Sequence, residues 1–297
     1  MIRIVLLSFF LLTTAAGAAS WDKADALYDA RGAQYRSGNT LEEQAANARA
    51  GIAMYKELLA TETNTFRRIY AGGQIAGLYY YITDYLMPMD RSVRLDGKNR
   101  KDWADECFDF MDVIAPEKVG PNQPYYLGKV MCLALSAQLA GILEQLGNMK
   151  YFEEGSPDDL IYTGMDVGYE FQGGGLLRTI ANVRADPLAV AVGAGDLDEA
   201  LWAAKTALAI EESSEFDRFG NTGPSWCDNW LTLAEVQVAR QERVAARNTI
   251  LDALDLFWVE GGAQDFEILA PVPGLEIDTL ICVERMFQLA EDTGLGI

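Results

Sequence analysis

The sequence predicts an all-α protein, and within that class a helix-hairpin α-solenoid with degenerate tetratricopeptide-like repeats. Three observations lead there. From Trp21 onward, apolar residues recur at intervals of three and four, the helical period, and no run alternates as a strand would. Start and stop signals divide the chain into about ten segments joined by short turns, which favours stacked hairpins over a four-helix bundle. In the C-terminal half, small residues stand at fixed offsets, as they do where paired helices approach closely.

The first segment is not expected to belong to the fold. Arg3, the apolar run Ile4 to Leu12 and the small residues Ala15 to Ala19 follow the order of a secretory signal, with cleavage expected after Ala18 or Ala19. The apolar run is shorter than the roughly 20 residues of a spanning helix. Residues 1–19 are thus read as a signal peptide and 20–297 as one α-helical domain, exported and without a stable membrane anchor.

The helices follow in order. Asp22 to Tyr35 ends at Ser37-Gly38-Asn39, and Thr40 caps the next, with Glu43 completing a capping box. That second helix reaches Ala60, and a third spans Thr65 to Met87, stopped by Pro88. Asp90 to Asn99 reads as a surface loop. Lys101 to Ala115 and Tyr125 to Leu146 flank a turn-rich stretch from Pro116 to Pro124. Ser156-Pro157-Asp158-Asp159 signals another start, expected to run to Phe171. Gly173, Gly174 and Gly175 break the chain before a short helix from Leu176 to Arg184. Asp196 then caps a helix to Glu212, with Glu199 at the capping-box position. Ser225 to Gln241, Arg243 to Val259 and Leu275 to Asp292 complete the set.

Composition restricts the chemistry. The net charge is −20 with a pI near 4.3, which argues against nucleic acid or an anionic membrane as partner. There is no histidine, so imidazole bases, serine or cysteine nucleophiles paired with histidine, and histidine-containing zinc sites are excluded. No cofactor or metal is expected. Of the four cysteines, Cys107 and Cys132 lie almost symmetrically about the Pro116 to Pro124 turn and would meet in a hairpin. Cys227 and Cys282 would meet if the last helix packs on the one near Ser225. Buried free thiols are the competing state.

The repeat-like part is 170–258. Ala200, Ala204 and Ala207 form one small-residue stripe, and Ala246, Ile250 and Ala253 repeat the spacing. Gly173-Gly174-Gly175-Leu176-Leu177-Arg178, Asp186-Pro187, Gly195 to Ala200, and Asn229 followed by Leu233-Ala234-Glu235 together resemble the TatT-like family. These are exported tetratricopeptide-repeat proteins associated with tripartite ATP-independent periplasmic (TRAP) transporters. The resemblance covers about residues 170 to 255 and implies a non-enzymatic periplasmic scaffold that engages a protein partner, such as a TRAP solute-binding component. Lipoprotein members carry a cysteine directly after the signal. This chain has Ala18-Ala19-Ser20-Trp21 there, so the lipid anchor is not implied.

The candidate site residues follow from these readings. Arg178, one turn beyond the glycines, is expected either to pair with Asp166 or Glu170 or to line a concave surface and clamp an acidic ligand. Tyr169, Trp226, Asn229 and Trp230 are the accompanying candidates, with Trp226 expected at the surface of an insertion. Gly173 to Gly175 lack the lysine and strand of a phosphate loop and are read as a structural turn. Two alternatives stand beside the scaffold: a helical protein that binds a small ligand, and a carbohydrate-active enzyme working through two carboxylates.

Overall fold

A computed structural model of the chain describes residues 19–35, 38–138, 140, 144, 147–191, 193–259, 267–270 and 274–297. The signal-like segment, apart from its last residue, lies outside the described residues. The protein is all-α, apart from a two-residue antiparallel ladder between β1 (Trp258–Val259) and β2 (Glu267–Ile268).

Local chemistry sets the first helices. Ser20 accepts from the Lys23 amide and opens α1 (Trp21–Asp29), which tightens into a 3-10 turn at Ala30–Gly32. Thr40 and Glu43 form the expected reciprocal box. The helix it starts is in two pieces, α2 (Leu41–Gln44) and α3 (Ala46–Leu59), divided at Ala45. Asn64 caps α4 (Thr65–Tyr80), which widens into a π-helical segment, Tyr81–Leu86. Asn99 and Asp102 box the start of α5 (Arg100–Phe110), followed by a 3-10 turn at Met111–Ile114 and the short α6 (Pro116–Val119). Next comes α7 (Gln123–Gln138); most of the expected remainder to Leu146 lies outside the described residues.

Two boundaries differ from expectation in the middle of the chain. Ser156 to Asp159 form a turn, and α8 spans Ile161–Val167, with Asp159 accepting from the Tyr162 amide at 3.0 Å. The cap position is Leu160, and Asp159, the last of the four signal residues, bonds the first turn from just before it. The helix ends before Phe171 because Gly168, at φ 134°, leaves the helical region. A new helix, α9 (Phe171–Ala185), carries left-handed backbone at Gln172, Gly173 and Gly174, where the triple glycine predicted a break. α10 (Pro187–Ala191) leads to α11 (Leu197–Leu208), whose cap Asp196 accepts from the Asp198 and Glu199 amides. Glu199 does not return the bond. Its carboxylate takes Arg184 Nε at 2.7 Å and the Tyr162 hydroxyl instead, because those stronger donors face it across the hairpin.

The last helices are α12 (Cys227–Ala239), α13 (Arg243–Phe257) and α14 (Glu276–Thr293). α13 stops two residues short of the expected Val259, where the chain turns extended and pairs as β1. Cys107 joins Cys132 with Cα atoms 5.8 Å apart, and Cys227 joins Cys282 at 6.1 Å. The first bridge ties α5 to α7, the second α12 to α14.

Packing runs as a series along the chain that skips intervening helices: α1 on α3, α3 on α4, α4 on α7, α7 on α9, α9 on α12, and α12 on α14. The helices α5, α11 and α13 back this inner series from outside. The most extensive pair is α9 with α11. There Ala200, Ala204 and Ala207 are wholly buried, and Ala246, Ile250 and Ala253 are likewise buried on α13, so both small-residue stripes lie at close helix contacts. The chain ends also meet. Arg31 pairs with Asp278, Arg218 reaches Asp29 at 2.6 Å, and Arg285 reaches Asp84 at 2.7 Å. Joining first and last elements in this way brings the inner helices around a common space.

Candidate ligand-binding cavity

The inner faces of α4, α7, α9, α12 and α14 surround a cavity of about 910 Å³. Much of its wall is apolar: Leu127, Met131 and Leu135 from α7, Val183 from α9, and Leu231 and Val236 from α12. Set into that wall are Arg31, Asp84, Arg178, Asp228, Glu235, Asp278 and Arg285, with the rings of Tyr80, Tyr85 and Trp226 among them.

Arg178 is positioned by the glycine break. The left-handed turn at Gln172 to Gly174 directs the carbonyls of Gln172 and Gly173 toward the guanidinium. Nη1 donates to them at 2.9 and 3.3 Å and to Asn229 Oδ1 at 2.8 Å. Asn229 is wholly buried, and its amide donates to the carbonyls of Gly173 at 2.8 Å and Gly223 at 2.7 Å, with Ala207 at 3.3 Å. One side chain thus ties α9, α11 and the loop before α12 together beneath Arg178. Gly223 permits this approach, since a Cβ there would lie 2.0 Å from the Ala207 oxygen. The Trp226 ring lies 4.9 Å from the guanidinium carbon.

The expected pairing of Arg178 with Asp166 or Glu170 is not formed. Among the described residues, no carboxylate makes an ion pair with Arg178. Asp166 is exposed, and Glu170 accepts from Gln123 Nε2 at 2.7 Å. Helical spacing placed these acids near Arg178 along the chain, but Gly168 and the left-handed turn reorient α9 relative to α8. Trp226 is likewise not a surface residue. It is 8% exposed, and its Nε1 donates to Asp228 at 3.1 Å, because the loop from Phe216 folds inward onto α9. Of the remaining candidates, Tyr169 packs beside the α9/α11 core. Trp230 donates to the Pro224 carbonyl at 3.1 Å, away from the cavity.

The charges around the cavity are unevenly balanced. Asp84 lies between Arg100 at 3.0 Å and Arg285 at 2.7 Å, and Arg31 faces Asp278. Burial works against the charge of Arg285, but Asp84 and the nearby tyrosines and Asp228 hold its pKa above the ordinary value. Arg178 lacks that compensation. Burial depresses its pKa, opposed in part by Asp228. Asp228 itself accepts from Trp226 and, at 3.5 Å, from the Tyr85 hydroxyl.

Glu235 has no hydrogen bond or ion pair among the described residues. Enclosure by protein pushes its carboxyl up to about 7, against the pull of Arg285 and reinforced by Asp228 and Asp84. Solvent still reaches the side chain from within the cavity, as its exposure shows. Beneath the glycine turn, burial also raises Asp217 to about 6, although the Phe219 amide and Asn221 donate to it.

Sequence reasoning missed Asp84, Asp228, Glu235, Asp278, Arg31, Arg285, Tyr80 and Tyr85. For two of them a signal was present: Asp228 and Glu235 are the only charges in α12 and stand seven residues apart, hence on one helical face. The fold and the site together define an all-α protein enclosing a ligand-sized, mixed-polarity cavity. No protein-family model matches the chain, and no curated protein matches it. Among the described residues there is no cluster able to hold a metal ion and no helix long and apolar enough to cross a membrane.

Proposed function

We propose that this chain is an exported, non-enzymatic binding protein that holds a small ligand in its helix-lined cavity. The observation that carries the reading is the cavity itself. Its volume of about 910 Å³ falls within the roughly 300–1,000 Å³ range of small-molecule sites, and its apolar wall is interrupted by a few charged groups. The signal-like start supports export to the periplasm. The serial helix packing along the chain and the buried alanine stripes support a tetratricopeptide-like solenoid. The resemblance to the TatT-like family supports a protein partner, such as a TRAP solute-binding component, to which a ligand would pass.

Native mass spectrometry of protein purified from an exporting host tests the ligand reading. A co-purified small molecule, released on unfolding, is the expected result. Absence of any such mass, together with no thermal shift from a library of small metabolites, would overturn it. For the partner, co-purification of a solute-binding protein from periplasmic extract is expected, and its absence counts against that part alone.

One observation favours a second reading, a carboxylate-dependent carbohydrate enzyme. Glu235, raised to about 7, shares a helix face with Asp228, and a pair of carboxyl groups, one of them held protonated as an acid, is what glycoside hydrolysis needs. Turnover of glycosides that is lost in Glu235→Gln would support it. No turnover across a panel of pyranosides would remove it.

A further inference from the structure

We propose that the cavity takes a ligand with one carboxylate head and an apolar body, the carboxylate seated on the Nε–Nη2 edge of Arg178. The proposal rests on the reading of the cavity as a ligand site and specifies the class of molecule. Among the described residues, the hydrogen bonds of Arg178 run through Nη1, to the carbonyls of Gln172 and Gly173 and to Asn229 Oδ1. Every one of these acceptors is neutral. Among the described residues Nε and Nη2 make no hydrogen bond, neither is a sealed polar atom, and Arg178 lines the cavity.

The guanidinium is therefore held by one corner with its other edge presented. The Trp226 ring, 4.9 Å away, and the carbonyl pair restrict its orientation. Two parallel N–H groups on a fixed plane match the two oxygens of a carboxylate. The anion would also supply the countercharge that Arg178 lacks inside the protein.

Neighbouring charges limit the head to a single negative charge. Asp228 is the acid that acts most strongly on Arg178, and it stays in place through Trp226 and Tyr85. A dianion such as a phosphomonoester would meet it at close range. A cationic ligand would face Arg178, Arg31 and Arg285, and the latter two already have Asp278 and Asp84 as partners. Away from Arg178, Leu127, Met131, Leu231 and Val236 offer apolar surface to the body of the ligand.

Calorimetric titration at pH 6.5 with decanoate, decan-1-ol and decyltrimethylammonium tests the proposal on the unaltered protein. Decanoate is expected to bind at least tenfold more tightly than decanol, and the ammonium more weakly than either. In Arg178→Gln, the preference for decanoate over decanol should be lost. Equal binding of decanoate and decanol by the unaltered protein, or preference for the ammonium, would overturn the carboxylate assignment and leave the cavity reading intact. Binding of none of the three would overturn both. Because Arg178 also anchors the glycine turn, the comparison within the unaltered protein decides the matter if the variant does not fold.

Discussion

Replacing Asn229 with alanine should destabilise the protein far more than loss of one polar side chain on a helix ordinarily does. The side chain is wholly buried, and its amide satisfies the carbonyls of Gly173 and Gly223 at 2.8 and 2.7 Å, with the Ala207 carbonyl at 3.3 Å. An amide has two N–H groups, so the two short bonds count fully and the third only shares a donor. Each neutral bond contributes about 1 kcal/mol net, and the bond from the Arg178 guanidinium about 1.5–3 kcal/mol because one partner is charged. The sum is about 3.5–5 kcal/mol, with a cavity the size of a carboxamide left behind. Urea unfolding followed by tryptophan fluorescence measures it. A loss below about 1.5 kcal/mol would show that Asn229 does not act as the common tie, since that is no more than one of its bonds. Asn229→Asp sharpens the test: it keeps the volume and gives Arg178 a carboxylate, but turns both donors into acceptors facing carbonyls. It should also be destabilised, and it should bind carboxylates less tightly because the countercharge is then already present.

Further outcomes follow from other parts of the structure. The Glu235 carboxyl is raised in the folded protein to about 7 from an ordinary 4.5, so folded protein binds its proton more tightly than unfolded protein does. Its contribution is fully present below about pH 4.5 and is lost as pH rises through 7; melting temperature against pH should fall less steeply across that window in Glu235→Gln, and identical profiles would refute the assignment. Gly174→Ala combines a backbone φ of 91° with a Cβ 2.7 Å from Ile210, and should cost about 2 kcal/mol or more by equilibrium unfolding. Removing Cys227 and Cys282 together opens a bridge across 55 residues. Chain entropy puts its contribution at about 4 kcal/mol, so denaturation without reductant should show the double variant, which keeps Cys107–Cys132, less stable than the unaltered protein by the larger part of that amount.

The helical architecture was legible because its signals are local. The Thr40 box, the Asp196 cap, the glycine break and Pro88 act within a few residues of chain, and each does so where expected. The small-residue stripes at Ala200 and Ala246 were legible for a related reason, since a helix face that admits another backbone closely must lack bulk. Where local signals misled, a neighbouring element had outcompeted them. Glu199 leaves its capping role for Arg184, and the Ser156 start yields to Asp159.

The sequence by itself determined that the chain is helical, where most helices begin, which cysteines could meet, and that histidine chemistry is excluded. Only the tertiary structure decided that Arg178 turns from Asp166 and Glu170 toward a shared cavity, and that Trp226 is buried beside it. Helical periodicity states which residues share a face, but not what stands opposite. The surroundings of Glu235 are set by Arg285, Asp84 and Asp228, from three segments spread over some two hundred residues. Its protonation, and the open edge of Arg178, are properties of the space those segments enclose, and that space exists only once the first and last helices have met.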